Sequence, residues 1–217
     1  MIWVMNLYLS SYGIPAPREL EKLLNITLQA AKVALIPNAK DYLAQDDRDT
    51  KIKAYIAKYL QPLGLNVDVI DLRGYNDLVA LEKTLRNYNL VWVMPGNTYV
   101  LRYEMQRSGF ENIIRELLAS GVVYGGGSAG ALVAGMSIDG VEAIDNPVFA
   151  QALINEGLNL APYIIVPHAD NAELSGLLPS MQAKHLDKQC IELNDSQSAV
   201  ITNDRYVIVD AEKSSRK

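Results

Sequence analysis

Short apolar runs alternate along this chain with longer stretches in which apolar residues recur three and four positions apart. Runs at 4–9, 33–36, 67–70, 90–94, 121–124 and 163–166 have the length and side-chain content of strands. Between them, 17–24, 47–60, 78–85, 99–106 and 110–119 carry helical spacing; Ile52, Tyr55, Ile56 and Tyr59 share one face of the second. A small-residue stretch at 129–136 predicts another helix, directly after the run at 121–124. Runs at 198–201 and 206–209 flank Thr202-Asn203-Asp204-Arg205 and predict a hairpin. Strands and helices alternating with short links predict an α/β fold, a mostly parallel sheet covered on both faces and closed by a C-terminal β-hairpin. No repeat or linker divides the chain, so residues 1–217 read as one domain, with 212–217 expected to fray.

Composition narrows the class. At 217 residues and 49% hydrophobic, the chain suffices for one sizeable core. The net charge of -5 comes with no basic stripe, which argues against a nucleic-acid partner. Cys190 is the single cysteine, so no internal disulfide forms and a reducing compartment is expected. No apolar run reaches the ~18 residues of a membrane span, and Met1-Ile2-Trp3-Val4-Met5 lacks the basic region and cleavage site of a signal peptide. The expectation is a cytoplasmic protein away from membranes. A homodimer stays open, because a flat apolar face cannot be recognised from sequence.

The chemistry concentrates at Gly125-Gly126-Gly127-Ser128-Ala129-Gly130-Ala131, between a strand-like run and a helix-like stretch. Gly126-x-Ser128-x-Gly130 matches the nucleophile-elbow pattern, in which a sharp turn leaves a serine oxygen free. A serine needs a base, usually a histidine held by a carboxylate. Of the two histidines, His168 follows an apolar strand directly, where active-site loops of such sheets lie; His185 sits in a polar helical stretch and reads as surface. For the carboxylate, Asp145 and Glu142 rank together, ahead of Asp139 and Asp170. Backbone N–H groups of Ala129 and of Gly96, in the loop Pro95-Gly96-Asn97-Thr98, are candidates for an oxyanion hole. The loops at 95–98, 125–128 and 167–170 each follow an apolar run and are expected to converge on one edge of a single sheet. Other readings remain open. Gly125-x-Gly127-x-x-Gly130 also fits a dinucleotide fingerprint. The turn is also compatible with a non-catalytic module that binds a small anion at the helix start, or with a purely structural role.

About 40 residues separate Ser128 from His168, less than standard α/β-hydrolases place there. Taken together, Gly127-Ser128-Ala129-Gly130-Ala131, Pro95-Gly96-Asn97-Thr98 and Pro167-His168 resemble the peptidase E family, the S51 serine peptidases. Leu7-Tyr8-Leu9-Ser10-Ser11-Tyr12-Gly13, Ala34-Leu35-Ile36-Pro37-Asn38-Ala39 and Ala199-Val200-Ile201-Thr202-Asn203-Asp204 extend the likeness over most of the chain. The resemblance implies a flavodoxin-like three-layer α/β sandwich related to class I glutamine amidotransferases. It implies Ser128 as nucleophile, His168 as base, an acidic residue after the elbow helix as third member, and Gly96 and Ala129 as oxyanion donors. It also implies a small peptide substrate, with removal of an N-terminal aspartate from dipeptides and no metal or other cofactor. An aspartate-specific pocket needs a cation for the substrate carboxylate. The segment after His168, Ala169-Asp170-Asn171-Ala172-Glu173, has acids and no arginine.

Overall fold

A computed structural model describes residues 5–212. The chain runs β1 (Asn6–Ser10), α1 (Pro17–Leu24), β2 (Lys32–Ile36), α2 (Gln45–Tyr55), β3 (Asn66–Val69), α3 (Leu78–Leu85), β4 (Leu90–Val93), α4 (Thr98–Arg107), α5 (Phe110–Ala119), β5 (Val123–Gly127), α6 (Ala129–Leu132), β6 (Ile164–Val166), α7 (Leu177–Lys184), β7 (Cys190–Glu192), β8 (Gln197–Thr202) and β9 (Arg205–Asp210). Seven strands form the main sheet in the order β3-β2-β4-β5-β1-β8-β9. β3, β2, β4, β5 and β1 are mutually parallel, while β8 runs antiparallel to β1 and β9 antiparallel to β8.

Strand alternation builds one core on each face of this sheet. Leu7 and Leu9 of β1 pack with Leu81 of α3, Met105 of α4 and Ile114 of α5. Tyr8, between them, faces Leu20 of α1 and Ile52 of α2 in the second core. Trp92, fully buried, donates its Nε1–H to Tyr55 Oη at 2.9 Å, which satisfies the indole inside that second core. The result is the three-layer α/β sandwich with a C-terminal hairpin that the sequence predicts. The hairpin closes through Asn203 and Asp204, both at positive φ (50° and 61°), as a two-residue turn requires.

Three local expectations are corrected. The run at 163–166 was expected in the main sheet, but β6 pairs in parallel with β7 in a separate two-stranded sheet. The β1 edge it would need is occupied by β8. The helix expected over 129–136 stops at Leu132; Met136 N–H instead donates to Tyr163 O at 3.0 Å, drawing the chain toward β6. The expected fraying from 212 does not hold for Glu212 itself, whose N–H donates to Pro15 O and whose carboxylate accepts from Arg18 N–H. Residues 213–217, and Val4 of the first predicted strand, lie outside the described residues. The dinucleotide fingerprint lacks its βαβ context, since the strand after α6 belongs to the smaller sheet. Among the described residues, no helix is long and apolar enough to cross a membrane.

Candidate active site

Strand register alone brings four loops to one edge. Ile36 lies beside Val93, Val93 beside Gly126, and Ser10 beside Gly127. Ala39, Gly96 and Ala129 are therefore each three residues beyond a paired position, at the carboxyl ends of β2, β4 and β5. Ser11 and Tyr12 continue the row beyond β1.

The turn at Ser128 is held by close backbone approach. A Cβ on Gly126 would meet Gly130 O at 2.4 Å, and one on Gly130 would meet Val93 O at 2.4 Å, so both positions exclude larger residues. Tyr124 Oη donates to Gly130 O at 2.7 Å, and Ser128 N–H donates to Ser10 O at 2.9 Å. Between these anchors Ser128 takes φ 52° and ψ -111°, a conformation rare for a residue with a side chain. His168 also sits at positive φ, 61°. Such backbone strain costs about 1–3 kcal/mol per residue and clusters at functional sites.

Ser128 Oγ and His168 Nε2 are 2.9 Å apart. On the other side of the ring, His168 Nδ1 lies 2.6 Å from Asp195 Oδ1. The second Asp195 oxygen accepts from Asn171 Nδ2 at 2.7 Å. This network assigns the ring proton to Nδ1, leaving the Nε2 lone pair to accept from the serine hydroxyl. His168 is 2% exposed; its backbone N–H donates to Ser11 Oγ at 2.9 Å, and that hydroxyl donates to Leu193 O. The Tyr12 ring packs against the imidazole at 4.6 Å between centroids.

The sequence reading missed Asp195 because it sought the carboxylate after the elbow helix or just past His168, at Asp139, Glu142, Asp145 or Asp170. The β6–β7 register explains the placement. Val166 lies beside Glu192, so His168 and Asn194 are level at the carboxyl ends of neighbouring parallel strands, and Asp195 follows. The available signal was the apolar-centred run Cys190-Ile191-Glu192-Leu193, a short strand ending in an acidic turn.

The two acids ranked first do not reach the imidazole. Asp145 Oδ2 accepts from Thr98 N–H at 2.8 Å and from Thr98 Oγ1 at 2.6 Å, so it braces the turn after β4. Its carboxyl is pushed up by burial, a shift that these two bonds oppose. Glu142 accepts from Tyr99 Oη and from Gly140 N–H. Asp139 lies 3.5 Å from Lys184 Nζ, and Asp170 Oδ1 accepts from Asp195 N–H at 3.2 Å. His185 Nε2 lies 2.9 Å from Asp139 O, away from Ser128. The N–H groups of Gly96 and Ala129 have no acceptor among the described residues. No group of metal-binding side chains occurs among the described residues.

The likeness to known proteins extends over nearly the whole chain. The model of peptidase family S51 matches residues 11–209. An uncharacterized peptidase of Listeria innocua is 29% identical over 210 residues, covering 94% of this chain and 95% of that protein. Peptidase E of Shewanella sp. strain W3-18-1 is 29% identical over 165 residues, covering 74% of this chain and 63% of that protein. The crystal structure of a candidate peptidase E protein from Listeria monocytogenes EGD-e superposes with a TM-score of 0.79 at 25% identity, covering 96% of this chain and all of that one. A peptidase from an acI-B1 actinobacterium shares the fold, with a TM-score of 0.70 at 17% identity, over 95% of this chain and 88% of that one.

Proposed function

The chain belongs to peptidase family S51, and on that premise we propose that it is a serine peptidase acting on short peptides through an acyl-enzyme on Ser128. The observation that carries the reading is the continuous relay Ser128 Oγ–His168 Nε2–His168 Nδ1–Asp195, with separations of 2.9 and 2.6 Å. His168 Nε2 takes the hydroxyl proton as Ser128 Oγ bonds to the scissile carbonyl carbon. The carbonyl electrons move onto oxygen, and the N–H groups of Gly96 and Ala129 receive that charge. Collapse of the tetrahedral intermediate expels the amine, which His168 protonates. Water then attacks the acyl carbon with His168 again as base, releasing the acid and restoring the serine. Asp195 accepts from Nδ1–H and so orients the ring, and Asn171 holds Asp195.

Preference for an N-terminal aspartate is part of this proposal. A half-buried free thiol at Cys190 is compatible with a reducing, cytoplasmic setting. The test is hydrolysis of a dipeptide library varied at the N-terminal residue, run beside Ser128→Ala and His168→Ala. We expect cleavage by the unaltered protein and its loss in both variants, with unchanged melting curves. Full hydrolysis by Ser128→Ala would refute the mechanism.

A further inference from the structure

Among the described residues, Lys40 makes no salt bridge. It ends the turn Asn38–Lys40 that follows β2, and it is half-buried. The acids around it are already committed. Asp41 receives Arg48 Nε at 2.5 Å and Asn38 Nδ2 at 2.6 Å. Asp71 receives Arg48 Nη2 at 2.9 Å and Arg73 Nη2 at 2.7 Å. Asp145 acts on Lys40 through space, but its Oδ2 is held by both Thr98 donors and the two make no ion pair. Burial pushes the Lys40 ammonium down, and the exposed Lys51 adds like-charge repulsion. An ammonium that is partly desolvated and unpaired is costly unless a ligand anion completes it.

Its position says where that anion would be. Ala39 O accepts from Asn97 N–H at 2.8 Å and lies against the Gly96 backbone. Ala39, Gly96 and Ala129 form a row across β2, β4 and β5. With neighbouring strands ~4.8 Å apart, Lys40 starts about 10 Å from Ser128, within reach of a lysine stem and one small substrate residue. His168 stands at the opposite end of the row, above Ser11 and Tyr12 of the β1 loop. The leaving amine must lie beside His168, which protonates it. The residue that supplies the scissile carbonyl therefore extends past Gly96 toward Lys40. Tyr42, two residues beyond Lys40, pairs with Phe149 at 5.3 Å between ring centroids.

We propose that Lys40 is the specificity-determining cation of this site, pairing with a side-chain carboxylate on the substrate residue whose carbonyl Ser128 attacks. This rests on the serine-peptidase reading above. It also supplies from the β2 loop the cation that the segment after His168 lacks.

The test measures kcat/KM for Asp-Leu, Asn-Leu and Asp-leucinamide with the unaltered protein, Lys40→Met, Lys40→Arg and Ser128→Ala. A charge-assisted pair to a half-buried ammonium predicts that Asp-Leu exceeds Asn-Leu by about tenfold or more. That ratio should fall toward one in Lys40→Met and persist in Lys40→Arg. Asp-leucinamide, which lacks the terminal carboxylate, should behave as Asp-Leu does. An Asp-to-Asn ratio unchanged in Lys40→Met overturns the proposal. So does loss of activity on the amide, which would assign the carboxylate to the substrate C-terminus. Hydrolysis persisting in Ser128→Ala would instead refute the serine reading, and the Lys40 proposal with it.

Discussion

At Ser128 the backbone and the side chain are set for the same task. The strained φ of 52° turns the side chain out of the sheet edge, and the 2.9 Å contact to His168 follows from that turn. Ser128 and His168 were legible as residues because each follows an apolar run and carries distinctive chemistry. Asp195 was not, because one carboxylate among many has no local mark, and only the β6–β7 register brings it to the ring. Asp195→Asn keeps the shape but favours the wrong imidazole tautomer. It should lower kcat by roughly 10⁴-fold without lowering the melting temperature, as steady-state kinetics and calorimetry would check. A loss below tenfold would mean that Asp195 does not set the tautomer.

Among the elements, the turn after β5 depends on contacts that one-residue patterns only partly reveal. GxSxG flags two glycines, and those two are where a Cβ would strike backbone oxygen at 2.4 Å. At Gly127, the third glycine of the run, a Cβ would make only ordinary van der Waals contact, the nearest atom being Tyr55 Oη at 3.6 Å. Gly126→Ala and Gly130→Ala should each destabilise by about 2–3 kcal/mol in urea titrations, whereas Gly127→Ala should stay within about 1 kcal/mol. Equal effects at all three positions would contradict the packing described. The turn after β4 has a different support. Asp145→Ala leaves Thr98 N–H and its hydroxyl without their acceptor, which should cost about 1–3 kcal/mol of stability. It should also lower kcat/KM by displacing Gly96, as steady-state kinetics would check. The helices at 17–24, 78–85 and 110–119 were read to the residue, since each carries a clear apolar face. The small sheet was not, because three-residue strands give too little periodicity.

For the whole molecule, seven strands hold one core on each face and leave the carboxyl edge free for polar loops. The α/β class was legible because strand and helix periods alternate. The allotment of β6 to a second sheet was not, because sheet membership is decided by which edges other strands already occupy. Beside the site, Arg48, Arg73, Asp41, Asp71 and Asn38 bind the loops after β2 and β3 together. Burial alone would raise the Asp71 carboxyl, but bonds from Arg73 and Asn38 and the charge of Arg48 hold it down at about 2. A carboxyl held below its ordinary value of 3.8 stabilises the fold above that pH and loses the contribution as pH falls toward about 2. Asp71→Asn should therefore melt below the unaltered protein at pH 6, with the gap closing as the pH falls from 4 to about 2. A gap constant over that range would mean that Asp71 is not held ionised by its partners. Asp41, more deeply enclosed, is pushed the other way by burial despite its bonds from Asn38 and Arg48.

The central claim, an acyl-enzyme on Ser128, is tested most directly by treating the protein with a small fluorophosphonate and reading its intact mass and modified peptide. The relay of Ser128, His168 and Asp195 predicts a single phosphonyl adduct on Ser128, absent in Ser128→Ala and formed far more slowly in His168→Ala. An unmodified protein that still hydrolyses peptides, or an adduct on another residue, would contradict it.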